Sequence, residues 1–150
     1  MKEKIYFASG CFWCTEAVFQ RVHGVVKVKP GYIDGLFRNP AYREVCTGRT
    51  GHAECVEIEY DTAVISVSEL LEINFATHDP TQLNAQGNDK GTQYRSGIYC
   101  TTDEQKSETL KFIELLEKEN IFDKSIVTEI KMATEFFEAE LEHQNYYSTH

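Results

Sequence analysis

The chain has 150 residues, with 15 Lys and Arg against 24 Asp and Glu, and carries a formal net charge of −9 at pH 7. That length suits one domain burying roughly 70% of its unfolded surface, and 41% hydrophobic residues with only 3 Pro and 9 Gly disfavour disorder and low-complexity structure. The acidic balance disfavours a nucleic-acid partner, because binding a phosphate backbone rests on Lys and Arg displacing counterions.

Residues 1–8 hold only a short apolar stretch before Ser9 and Gly10, too short for a signal-peptide core. No segment reaches the eighteen or more apolar residues of a membrane span, so a cytoplasmic protein without membrane contact is expected. Residues 5–8 read as a short buried strand interrupted at Gly10, and residues 15–22 as a helix entered from Cys11 or its neighbours. Val25, Val26 and Val28 suggest a second strand ahead of a glycine-bounded turn at residues 31–35. A short helix follows over residues 40–46, begun by Asn39-Pro40 and ended by Gly48. Over residues 53–60 the alternation is clear: Glu54, Val56, Ile58 and Tyr60 share one face, and Cys55, Glu57 and Glu59 the other.

Ser66 with Glu69 forms a capping box for a helix whose Val67, Leu70, Leu71, Asn74, Phe75 and His78 lie on one stripe, and which stops before Asp79-Pro80. Residues 79–93 are polar and punctuated by glycine, longer than most connections in a compact domain, and such loops are usually functional or disordered. A strand over residues 95–100 follows. Thr102 and Gln105 offer a second capping box, for a helix with Leu110, Phe112, Ile113 and Leu116 as its core stripe. A late strand over residues 125–133 and a helix around residues 137–144 complete the chain. The expected architecture is α+β: a two-layer sandwich with a mixed central β-sheet and flanking helices around a ferredoxin-like core, forming one catalytic domain over residues 1–150.

Five cysteines, Cys11, Cys14, Cys46, Cys55 and Cys100, are an odd number without secretory context. That argues against a disulfide framework and leaves thiol chemistry, metal binding or packing. Gly10-Cys11-Phe12-Trp13-Cys14 is a Cys-x-x-Cys opening a helix directly after a strand. Helix N-terminal amides stabilise a thiolate and can bring a cysteine pKa from about 8.5 to roughly 7 or lower. Cys11 is therefore the candidate nucleophile, with Phe12 and Trp13 as walls of an apolar pocket beside it. Cys46, Cys55 and Cys100 read as packing. A zinc site would combine Cys11 and Cys14 with His52 and Cys55, but a separation of three along a strand points His52 and Cys55 to opposite faces.

Glu54, on the apolar side of its strand, loses hydration when charged. Its pKa should rise, making it a credible proton donor; the alternative is an edge position whose carboxylate reaches solvent or an amide. Tyr42, Asp89 and Tyr94 form a third signal, since phenols donate hydrogen bonds without adding charge. Their local pattern alone does not separate them from half-buried fillers.

Four stretches, GCFWCTEAVF at 10–19, NPAYREVCTGRTGHAE at 39–54, HDPTQLNAQGNDKGTQYRSGIY at 78–99 and AELEHQNYY at 139–147, together make the sequence resemble the A-type peptide methionine sulfoxide reductases. Such enzymes restore methionine from one epimer of its sulfoxide, here the S epimer. The resemblance implies Cys11 as nucleophile, Glu54 as acid, and Phe12 and Trp13 as the pocket for the substrate methyl. Tyr42, Asp89 and Tyr94 become the polar site around the sulfoxide and substrate; His143, Tyr146 and Tyr147 match a weaker C-terminal part of the pattern. It further implies oxidised proteins and free methionine sulfoxide as substrates, a sulfenic acid on Cys11, thioredoxin as reductant, and no bound cofactor or metal.

The sequence departs from the commonest pattern at four positions. Cys14 stands where Gly is frequent, Asp34 interrupts a double glycine, Cys55 follows Glu54 where a small apolar residue is usual, and Glu142 replaces a frequent Tyr. The tail ends without the cysteines through which many relatives regenerate, which makes Cys14 the leading resolving residue, through a Cys11–Cys14 disulfide. A thiol–disulfide exchange protein using the same Cys-x-x-Cys and a zinc-binding interaction module are the competing readings.

Overall fold

The computed structural model describes residues 1–35, 40–48 and 50–140. In chain order these form β1 (Lys2–Ser9), α1 (Phe12–Phe19), β2 (Val25–Ile33), α2 (Tyr42–Cys46), β3 (Ala53–Asp61) and α3 (Val67–Thr77). A small hairpin of β4 (Ala85–Gln86) and β5 (Asp89–Lys90) leads through a 3-10 turn (Thr92–Tyr94) to β6 (Ser96–Cys100), α4 (Asp103–Lys118), β7 (Glu129–Met132) and β8 (Phe137–Glu138). Six strands make one mixed sheet in the order β7-β6-β1-β3-β2-β8. β1 runs antiparallel to both β3 and β6, β2 antiparallel to β3, and β6 parallel to β7. The inner order β6-β1-β3-β2, joined by α1 and α3, is the expected ferredoxin-like core, and β7 and β8 extend its edges. Among the described residues no helix is long and apolar enough to cross a membrane.

Strand alternation divides the apolar residues between the two faces of the sheet. Ile5, Phe7, Val56, Ile58, Tyr60, Ile98 and Cys100 point to the face covered by Phe12 and Phe19 of α1, Leu70, Leu71 and Phe75 of α3, and Phe112, Ile113 and Leu116 of α4. Tyr6, Ala8, Cys55 and Tyr99 point the other way, where Ala133 and Phe136 lie over them. The parity of β3 therefore sends Glu54 to the helical side, as its alternation predicts.

The cap at Ser66 forms as read: its Oγ accepts from Glu69 N–H at 3.1 Å, and the Glu69 carboxylate accepts from Ser66 N–H. At Thr102 only half of the box forms. Its Oγ1 accepts from Gln105 N–H, but the Gln105 side chain turns inward to Thr101 N–H, the Lys4 carbonyl and the Tyr60 hydroxyl. A buried amide finds more partners there than at the helix end.

Three expectations are corrected. Residues 31–33 are not a turn: β2 runs on through Ile33, because Gly31 and Tyr32 find partners on both sides, in β3 and in β8. Phe137 and Glu138 form β8 rather than the start of a helix, since pairing along the free edge of β2 satisfies their backbone groups. The late strand is also shorter than read, covering Glu129–Met132. Asn39, the remainder of the expected C-terminal helix at residues 141–144, and Glu142, His143, Tyr146 and Tyr147 lie outside the described residues.

Candidate active site

The site begins at the corner between β1 and α1. Gly10 has φ +90° there, and a Cβ on it would stand 2.7 Å from Gln86 of the long loop, so the corner requires glycine. The loop is itself braced. Gln86 bonds both backbone groups of Asp79, whose carboxylate receives Thr81 and Gln82. From beneath, Ser9 donates to Asn74 of α3 at 2.6 Å. Cys11 then takes the N-cap position of α1, half-buried, and its carbonyl accepts the first bond of the helix, from Thr15 N–H.

Glu54 meets this corner from β3. Its Oε1 accepts the N–H of Phe12, the residue after Cys11, at 3.2 Å, while Oε2 is buried with no hydrogen-bond partner among the described residues. Glu54 is 1% exposed. Burial pushes its carboxyl up to about 8, with the Phe12 N–H opposing and the Asp89 charge reinforcing. The raised acid expected from strand parity is present.

The expected lowering of the Cys11 thiol is not. Burial pushes it up to about 12; the N–H groups of Trp13 and Cys14 pull it down, but the neighbouring charge of Glu54 adds to the rise. A short helix's amides stabilise the thiolate by less than the lost hydration destabilises it. At neutral pH the resting pair is a thiol beside a carboxylic acid, both uncharged.

Aromatic rings enclose the corner. Phe12 is fully buried and Trp13 half-buried, and the ring of Tyr42 stacks 6.1 Å from the first and 6.0 Å from the second. Tyr94 is half-buried, and its hydroxyl is pushed upward first by burial, then by the charges of Glu54, Cys46, Asp89 and Cys11. Asp89 is exposed on β5, at the mouth. Cys14 is an exposed cysteine in the first turn of α1. All eight candidates, Cys11, Phe12, Trp13, Cys14, Tyr42, Glu54, Asp89 and Tyr94, thus converge on one corner.

Two further residues belong to it that sequence reasoning missed. Tyr32 packs its ring 5.6 Å from Phe12, and its hydroxyl donates to Glu140 Oε1 at 3.4 Å. Glu140 Oε2 accepts the Tyr42 N–H at 3.3 Å, so the chain after β8 clamps the start of α2. The parity of Val28, Pro30 and Tyr32 was the available signal for the first. Cys46, the last residue of α2, is exposed rather than packed, and its thiol shares a hydrogen bond with Tyr42. Cys55 and Cys100 are buried, as expected for packing.

The zinc set does not assemble. Cys55 points to the opposite face of the sheet from Phe12 and the Cys11 corner. His52 meets the Phe137 ring edge-on at 5.6 Å. Among the described residues no group of three His, Cys, Asp or Glu is arranged to hold a metal ion.

The geometry agrees with comparisons to known proteins. The family model for peptide methionine sulfoxide reductase matches residues 3–150. A peptide methionine sulfoxide reductase MsrA of Deinococcus radiodurans is 53% identical over 146 residues, 97% of this chain and 71% of that protein. The solved methionine sulfoxide reductase A of Corynebacterium diphtheriae is 39% identical with a TM-score of 0.93, covering 99% of this chain and 74% of that one. Mxr1 of Saccharomyces cerevisiae in complex with Trx2 is 26% identical with a TM-score of 0.68, over 97% and 84% of the two chains. With its α+β fold and a cysteine set against a neutral acid, the chain belongs to the peptide methionine sulfoxide reductase family, oxidoreductases that act on methionine sulfoxide.

Proposed function

We propose that this protein reduces the S epimer of methionine sulfoxide, free or within oxidised proteins, as one catalytic domain over residues 1–150 acting in the cytoplasm. One observation carries the reading: the hydrogen bond from Phe12 N–H to Glu54 at 3.2 Å, which sets a buried carboxylic acid beside Cys11. Glu54 donates its proton to the sulfoxide oxygen, which is then a far better leaving group. The carboxylate so formed accepts the thiol proton as the Cys11 sulfur attacks the sulfoxide sulfur. The S–O bond breaks as a bond forms between the Cys11 sulfur and the substrate sulfur; the released hydroxide then attacks the Cys11 sulfur and breaks that S–S bond, so the oxygen ends on Cys11 as a sulfenic acid and methionine leaves. The substrate sulfur gains two electrons and Cys11 loses two. Two uncharged groups exchanging one proton make a preformed thiolate unnecessary.

Tyr42 and Tyr94 donate to the same oxygen, Phe12 and Trp13 receive the methyl, and Asp89 meets the substrate's polar backbone. The stacked rings of Phe12, Trp13 and Tyr42 support a narrow apolar slot with a phenol at its edge. Cys14 then attacks the Cys11 sulfur, an S–S bond forms and water leaves. Its exposure and its place one turn along α1 support this step. A thioredoxin dithiol supplies the two electrons and two protons that restore both thiols. The complex of the yeast relative with Trx2 supports that partner.

A stereo-resolved assay with both sulfoxide epimers and dithiothreitol tests the reaction. The S epimer should be consumed, the R epimer left, and Cys11→Ser inactive; full activity in Cys11→Ser overturns the reading. Mass spectrometry of substrate-oxidised enzyme should find a Cys11–Cys14 bridge, and a bridge from Cys11 to Cys46, Cys55 or Cys100 removes Cys14 from its role.

A further inference from the structure

Asp34, the first residue after β2, has φ +62°, in the left-handed region that among L-residues mainly Asn and Asp visit. Its carboxylate Oδ2 receives Lys131 Nζ at 2.9 Å, Arg95 Nη2 at 3.3 Å and the Tyr99 hydroxyl at 3.5 Å. Its carbonyl also accepts from Arg95 Nη2, at 3.3 Å, and its N–H donates to Thr134. Arg95 also donates to the Thr92 carbonyl at 2.9 Å and to Glu129 at 3.0 Å. The Arg95 and Asp34 side chains are only 12% and 17% exposed, so the pairing is shielded from solvent.

We propose that Asp34 is a positioning residue that fixes the substrate tyrosine Tyr94 in the site by holding Arg95. Arg95 is covalently next to Tyr94, and its bond to Thr92 pins the 3-10 turn that ends in Tyr94. This corner therefore bears on the turn that carries Tyr94. The guanidinium suits this task because its donors lie in one rigid plane and can hold several acceptors at set angles. A misplacement of about 1 Å in a catalytic group costs about 10²-fold in rate.

The inference rests on the reading of Tyr94 as a sulfoxide-binding phenol, and a double-mutant cycle separates the two. Asp34→Gly keeps the left-handed backbone and removes the acceptor; Asp34→Asn keeps size, backbone preference and one acceptor oxygen. We expect kcat/KM for methionine sulfoxide to fall about 10²-fold in Asp34→Gly, mostly in kcat, with Asp34→Asn recovering part of the loss. Tyr94→Phe added to Asp34→Gly should cost little more than Asp34→Gly alone, while the alkylation rate of Cys11 stays at its wild-type value. Losses that simply multiply, unchanged kcat/KM in both Asp34 variants, or an altered alkylation rate overturn the inference and leave the site reading standing. If Tyr94→Phe alone leaves kcat/KM unchanged, the site reading fails and the inference with it. Should Asp34→Gly not fold, the same cycle run with Asp34→Asn decides.

Discussion

Glu54 and Glu57 stand three positions apart on β3, and the odd spacing turns them to opposite faces of the sheet. Both are buried. Glu57 meets the Tyr6 hydroxyl at 2.9 Å and the Lys4 ammonium at 3.5 Å, so its charge is compensated on the face away from the helices. Among the described residues Glu54 has one backbone N–H, an oxygen with no partner, and no ion pair. The contrast teaches that burial alone does not make a carboxyl into a proton donor. The same strand supplies a structural carboxylate where a phenol and an amine wait for it, and an acid where a single amide does.

The comparison breaks most sharply by mutation. Glu54→Gln should lower kcat for sulfoxide reduction by about 10²–10³-fold, the usual scale for losing a positioned acid, and Glu57→Gln by no more than about twofold. Steady-state assays with dithiothreitol measure both. Stability should show the reverse pattern. Glu57→Gln disturbs a satisfied buried network and should cost about 1–3 kcal/mol in denaturant unfolding.

A pH series sharpens the contrast. The Glu54 carboxyl is raised from 4.5 to about 8 in the folded protein, so the folded state binds its proton more tightly than the unfolded chain does. Its contribution is fully present below about pH 4.5 and is lost as pH rises towards 8, a change on the order of a few kcal/mol. Glu54→Gln should remove that slope, leaving the variant more stable than wild type at pH 8. The same variant lacks the charge that helps push the Cys11 thiol up, so alkylation of Cys11 at high pH should begin at a lower pH than in wild type.

The smallest effect belongs far from both carboxyls. Ser66→Ala removes the cap of α3 and should cost about 1 kcal/mol in unfolding without changing activity.

Much of this was legible in the residues. The parity of β3 put Glu54 among Val56, Ile58 and Tyr60, and the strand-to-helix position of Gly10 and Cys11 identified the corner, because both depend only on local periodicity. The state of Cys11 was not legible. Its thiol is governed by how deeply the corner is buried and by the carboxyl arriving from 43 positions away, and neither enters a local pattern. The reading of Gly31-Tyr32 as a turn failed for a related reason: pairing with β8, more than a hundred positions later, overrode the local preference of glycine. Tyr32 and Glu140 were missed with it, since each acquires its place only when those strands meet.

The most direct measurement follows the Glu54 carboxyl through its titration in the resting enzyme, by carbon-13 NMR of labelled glutamate assigned with Glu54→Gln. The account predicts that Glu54 is protonated at neutral pH and loses its proton near pH 8, with Cys11 still a thiol. A Glu54 that is fully ionised by pH 5 would contradict it.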